Sequence, residues 1–190
     1  MFVKICGITN REDAEAAIDA GAQALGFIFH GSSPRSVQAS AIHSWIGLIP
    51  SKIWKVGVFV DESREMVEEI STDLDLDIAQ LHGAETPRNY PRRIRIWKAI
   101  RITEANSPGE SGRAEALLLD GPGSGQTFDW SLAAAVPGKF VLAGGLTPEN
   151  VREAIEKTNP WGVDTASGVE SEPGRKDHAR MKMFIKAALG

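Results

Sequence analysis

The chain has 190 residues, enough for one domain with a sizeable core, and no second domain is expected. Its formal net charge of −4 lacks the basic excess of a nucleic-acid-binding protein, and no apolar run approaches the roughly 20 residues needed to span a bilayer. Cys6 is the single cysteine, which excludes an internal disulfide and suits a reducing compartment, so a cytoplasmic setting is expected.

Phe2-Val3-Lys4-Ile5-Cys6 reads as a first strand that turns at Gly7. Thr9 and Glu12 fit a capping box, in which each side chain satisfies a backbone N–H of the first helical turn. Ala14, Ala17 and Ile18 follow at helical spacing, and Gly21 is placed to stop the helix. Ala24 to Phe29 is a continuous apolar run of the kind that strands buried on both faces show, so it is a second strand. A loop through Ser32-Ser33-Pro34-Arg35 leads to a helix between Val37 and Leu48, a third strand from Trp54 to Val60, and a helix marked by Met66, Val67 and Ile70.

The alternation repeats along the remaining chain. Further strands are expected at Asp77–Leu81, Ile94–Ile100, Ala116–Leu119, Phe140–Ala143 and Trp161–Asp164. Thr86-Pro87 and Thr147-Pro148 each signal a capped helix, because proline is tolerated at the first helical position. Thr103 to Arg113 shows no helical period, so the helix between strands five and six is expected to be short or missing. A last helix runs through Met181, Phe184, Ile185 and Leu189. Eight strands alternating with helices predict a compact (β/α)8 TIM barrel; an open doubly wound sheet is the competitor, but no G-x-G-x-x-G follows the first strand.

In a barrel the chemistry lies at the carboxyl ends of the strands. Cys6 ends strand one there, either as a packed thiol or as a reactive one. Lys4, two residues earlier, shares its face and needs a partner if it points inward; Asp164 on strand eight adjoins strand one once the barrel closes, and a Schiff-base lysine is the alternative. Asp120 ends strand six as a general acid or as an acceptor for loop N–H groups, and Asp129 competes for the acid role unless it caps the next helix. Gln80 and His82 end strand four and either orient a substrate hydroxyl or bond one another. Arg35 either forks to a substrate carboxylate or is a solvated surface residue. The turns holding Gly144-Gly145 and Ser167-Gly168 follow strands seven and eight, where barrels frequently bind phosphate; the alternative is two ordinary turns. No metal site is expected, since the four histidines show no ligand spacing.

Lys4-Ile5-Cys6-Gly7-Ile8-Thr9, Ser33-Pro34-Arg35, Gln80-Leu81-His82-Gly83, Leu118-Leu119-Asp120, Gly123-Ser124-Gly125, Ala143-Gly144-Gly145-Leu146 and Ser167-Gly168-Val169-Glu170 together resemble the phosphoribosylanthranilate isomerases of tryptophan biosynthesis. The resemblance covers nearly the whole chain, and related phosphosugar barrels carry an acid, not cysteine, at the first strand end. It implies an Amadori rearrangement of N-(5-phosphoribosyl)anthranilate without a cofactor. Asp120 would protonate the ribose ring oxygen as general acid, and Cys6, as a thiolate titrating near neutrality, would take the C2 proton. Arg35 would hold the anthranilate carboxylate and Gly144, Gly145, Ser167 and Gly168 the phosphate, with Gln80, His82 and Asp164 as further substrate-binding residues. The rival readings are a histidine-pathway aminoaldose isomerase, which would use two carboxylates, and a non-catalytic phosphosugar-binding barrel.

Overall fold

Apolar runs bounded by glycine, proline and polar residues fold as eight parallel strands: β1 (Phe2–Cys6), β2 (Ala24–Ile28), β3 (Trp54–Phe59), β4 (Ile78–Leu81), β5 (Arg95–Arg101), β6 (Ala116–Asp120), β7 (Phe140–Leu142) and β8 (Gly162–Thr165). Each pairs with the next and β1 closes on β8, giving the expected closed barrel. The structure, a computed structural model, describes residues 1–102, 112–121 and 127–190. The expected short or missing helix between strands five and six falls largely outside the described residues, as does the Gly123-Ser124-Gly125 turn. Around the barrel lie α1 (Arg11–Ala20), α2 (Ala39–Ile46), α3 (Arg64–Asp73), α4 (Trp130–Ala134), α5 (Val151–Thr158) and α6 (His178–Leu189). Among the described residues, no helix is long and apolar enough to cross a membrane.

Strand alternation divides the core in two. Val3, Ile5, Leu25 and Phe27 face outward onto the helices with Phe184 and Ile185 of α6, whereas Ala24, Val56, Ile78, Trp97, Leu118 and Val141 fill the barrel. The amino-terminal mouth is closed by aromatic rings: Phe2 stacks on Trp161 at 4.4 Å between centroids, and the buried Trp97 meets Trp161 edge-on at 6.0 Å. Sealing that end with apolar bulk leaves polar inward positions for the opposite mouth.

Three helix starts differ from the sequence expectation. Asn10, not Thr9, caps α1: its side chain accepts the Asp13 N–H at 2.8 Å, while Thr9 Oγ1 donates to the Gly174 carbonyl at 2.6 Å and is drawn away from the helix. Thr86-Pro87 opens a single 3-10 turn, Pro87–Asn89, because Tyr90 precedes Pro91 and is held extended. Thr147-Pro148 forms a turn in which Asn150 Oδ1 accepts the Thr147 N–H at 2.8 Å, and α5 begins only at Val151. A short hairpin, β9 (Glu170–Glu172) with β10 (Arg175–Lys176), follows β8 where no strand was expected, since its polar residues show no alternation. Asp13 anchors it to both flanking helices: its carboxylate accepts the Lys176 backbone N–H at 3.0 Å and contacts His178 Nε2 at 2.8 Å.

The expected Lys4–Asp164 pair is present. The residues are register partners, and Lys4 Nζ donates to Asp164 Oδ2 at 3.0 Å with the lysine side chain fully buried. Gly26 makes the space: a Cβ there would lie 3.1 Å from Lys4 Cε and 2.7 Å from Cys6 Sγ. Burial works against the ammonium, but Asp164 and Cys6 outweigh it and lift the Lys4 pKa above its ordinary value. Lys4→Met should therefore cost about 3–5 kcal/mol of unfolding free energy by stranding a buried carboxylate. Urea titration checks this, with the K4M/D164L double variant expected to recover much of the loss.

Candidate active site

The carboxyl ends of the strands converge on a cavity of about 210 Å3. Cys6, Arg35, Gln80, His82, Asp120 and Asp164 line it, and so do Gly144, Gly145 and Ser167. Of the residues expected at the site, only Gly168 is off its wall. A Cβ at 168 would sit 1.9 Å from the Leu146 carbonyl oxygen, so this glycine lets the turn after β8 lie against the turn after β7. Gly144 and Gly145 have φ of 83° and 65°, the left-handed region that side chains disfavour, which directs the backbone after β7 towards the cavity.

Cys6 and Asp120 approach from β1 and β6, which β7 and β8 separate around the ring. Asp120 Oδ1 accepts the Gly121 N–H at 2.9 Å, and Oδ2 lies 3.1 Å from His82 Nε2. His82 Nδ1 in turn is 3.2 Å from Gln80 Nε2, so the two strand-four residues bond one another, as one of the sequence readings had it. With Gln80 donating to Nδ1, the imidazole hydrogen lies on Nε2 and is given to Asp120. Gln80 Oε1 and Asp164 Oδ1 are buried without partners among the described residues, leaving two acceptors on residues of the cavity wall. Asp129 is exposed, accepts the Ser131 N–H at 2.9 Å and caps α4, which removes it as a competing acid.

The expectation of a thiol titrating near neutrality is not met. Burial is the largest influence on Cys6 and pushes its pKa up; Lys4 pulls it down and Asp164 opposes Lys4, and the balance stays above the ordinary thiol value. The resting group is a thiol beside an ammonium.

Arg35 is neither free nor an ordinary surface residue. Its Nε and Nη2 form a fork with Glu170 at 2.8 and 2.7 Å. Lys176 Nζ reaches the same carboxylate at 3.0 Å and the Ala166 carbonyl at 3.1 Å. The sequence reading assigned Glu170 and Lys176 no role; only the place of Glu170 in the final motif pointed to it, because the hairpin that carries both has no periodic signal.

Residues 3–187 match the family model of N-(5'phosphoribosyl)anthranilate (PRA) isomerase. An N-(5'-phosphoribosyl)anthranilate isomerase of Solibacter usitatus is 47% identical over the full length of both chains, and one of Geobacter sulfurreducens is 46% identical over 99% of this chain and 98% of its own. The crystal structure of the Thermotoga maritima phosphoribosyl anthranilate isomerase superposes with a TM-score of 0.89 at 39% identity, covering 100% of this chain and 99% of that one. A phosphoribosyl anthranilate isomerase in complex with reduced 1-(o-carboxyphenylamino)-1-deoxyribulose 5-phosphate superposes with a TM-score of 0.87 at 38% identity, with 100% and 99% covered.

Proposed function

The chain belongs to the N-(5'-phosphoribosyl)anthranilate isomerase family, and on that premise we propose that Cys6 and Asp120 rearrange this phosphorylated aminoaldose to the ketose in tryptophan biosynthesis. The observation that carries the assignment of roles is that the one cysteine and the strand-six carboxyl line the same cavity from different strands.

Asp120, protonated, gives its proton to the ribose ring oxygen, the C1–O bond breaks, and the nitrogen lone pair forms an iminium. Cys6, as thiolate, removes the C2 proton, and the electron pair of that bond neutralises the iminium to an enolamine. Protonation at C1 and loss of the enol hydrogen give the ketone. The carboxylate left by the Asp120 transfer finds a partner in this arrangement: Gln80 donates its amide N–H to His82 Nδ1, so His82 Nε2 donates to Asp120. Lys4, held charged by Asp164, stabilises the thiolate once it forms.

Arg35 receives the anthranilate carboxylate, and the turns of Gly144, Gly145 and Ser167 receive the phosphate through backbone N–H groups, with Gly168 letting the second turn pack against the first. Gln80, His82 and Asp164 line the same cavity and complete the substrate-binding set. We place the chain in the cytoplasm, acting as one barrel domain, on the strength of its single buried cysteine and its continuous ring of strands.

The test is turnover of N-(5-phosphoribosyl)anthranilate by the purified chain, followed as loss of substrate fluorescence across pH. A raised thiol pKa leaves little of the base form at neutrality, so alkylation of Cys6 by iodoacetamide should quicken as pH rises from about 6 to about 9. No turnover at any pH would overturn the function; alkylation that does not quicken over that range would overturn the raised thiol.

A further inference from the structure

The arginine that the proposed function assigns to the substrate's ring carboxylate is itself held at three points. Its backbone N–H is accepted by Ser33 Oγ at 3.1 Å. Its aliphatic stem lies over Gly7, where φ is +72° and a Cβ would come within 2.8 Å of Arg35 Cδ. Its Nε and Nη2 are gripped by Glu170, 135 residues away in sequence. Glu170 is in turn pinned from behind by Lys176 at 3.0 Å and the Gly174 N–H at 3.3 Å.

A guanidinium has five N–H groups arranged as two carboxylate-sized forks, one along its Nε/Nη2 side and one across its Nη1/Nη2 end. Glu170 occupies the side fork. Among the described residues the end fork makes no protein hydrogen bond, and Arg35 lines the cavity. The Glu170 side chain is 5% exposed and that of Lys176 is fully buried, so the grip is not a solvated surface pair. The Arg35 and Lys176 hydrogen bonds outweigh burial and hold the Glu170 carboxyl below its ordinary value, and Glu170 raises Arg35 in return. Arg35 and Lys176 set two basic groups around one carboxylate beside the cavity, with burial lowering the Lys176 pKa and Glu170 opposing that fall, an arrangement that favours an anionic ligand.

We propose that Glu170 is a positioning residue for substrate recognition: by filling the side fork of Arg35 it fixes the end fork towards the ring carboxylate of the substrate. Lys176 keeps that carboxylate from swinging away. This rests on the reading of Arg35 given above. Without Glu170 the guanidinium regains its rotamers and must be ordered again at each binding event, which weakens ground state and transition state alike.

The experiment compares wild type, R35A, E170A, E170Q and R35A/E170A by titration with two ligands. Reduced 1-(o-carboxyphenylamino)-1-deoxyribulose 5-phosphate carries the ring carboxylate, and ribulose 5-phosphate lacks it. E170A should bind the first about tenfold more weakly and the second nearly as wild type. E170Q, which keeps the volume and one acceptor oxygen, should fall between, and R35A/E170A should bind the carboxylated ligand no more weakly than R35A. In turnover, KM should rise by a similar factor while kcat changes little. Wild-type affinity in E170A, equal weakening for both ligands with a lowered melting temperature, or additive losses in the double variant would overturn the positioning role. If R35A itself fails to separate the two ligands, it is the reading of Arg35 that falls, and this inference with it.

Discussion

Cys6→Ser should lower kcat by about a thousandfold or more while leaving the melting temperature nearly unchanged. A positioned general base contributes roughly 10²- to 10⁴-fold, and a serine hydroxyl is a far weaker acid than a thiol, so its basic form is effectively absent at any working pH. The fold should tolerate the change because the side chain loses little volume and its new hydroxyl can accept from Lys4, whose ammonium is already placed beside the sulfur. Binding of the reduced product analogue should persist, since Cys6 is assigned no binding contact with it. Single-turnover fluorescence decay gives the rate, and a thermal melt gives the control. Activity within tenfold of wild type would mean that another group takes the C2 proton.

Asp120→Asn should cost about 10²- to 10⁴-fold in kcat for the complementary reason. The amide keeps an oxygen for the Gly121 N–H or for His82 and preserves the shape of the cavity wall, but it has no proton to give the ring oxygen. The step lost is ring opening, so C2 deprotonation never receives its iminium. Asp164 is the other carboxylate on the cavity wall, and it is committed to Lys4. A D120N variant that turns over at the wild-type rate would move the acid role there.

The buried pair beneath the cysteine explains how one mouth holds both an acid and a base. Lys4 and Asp164 cancel one another's charge inside the barrel, and the neighbouring Gly26 leaves room for both Lys4 and Cys6. An ammonium without Asp164 would be driven neutral by burial and would offer a thiolate nothing. A histidine-pathway isomerase would present a second carboxylate where this chain presents sulfur, and the match over residues 3–187 together with the full-length relatives favours the anthranilate-handling family.

Much of this was legible in the sequence, because strand and helix signals are local. Period-two alternation put Lys4 and Cys6 on one face, and closing eight strands into a ring placed Lys4 beside Asp164 before any distance was known. The strand-end positions of Gln80, His82 and Asp120, and the paired glycines after strand seven, were readable in the same way. The tertiary structure alone decided whatever depends on groups far apart in the chain or on how much water reaches them. The hairpin that delivers Glu170 and Lys176 is polar and aperiodic, so nothing in its own residues announced a strand, and the fork onto Arg35 spans 135 positions. The α1 cap fell to Asn10 because Gly174, 165 residues away, claims the Thr9 hydroxyl. The Cys6 thiol rises above its ordinary pKa because folding removes water from the sulfur faster than Lys4 can compensate, and desolvation is a property of the packed interior that no stretch of sequence carries by itself.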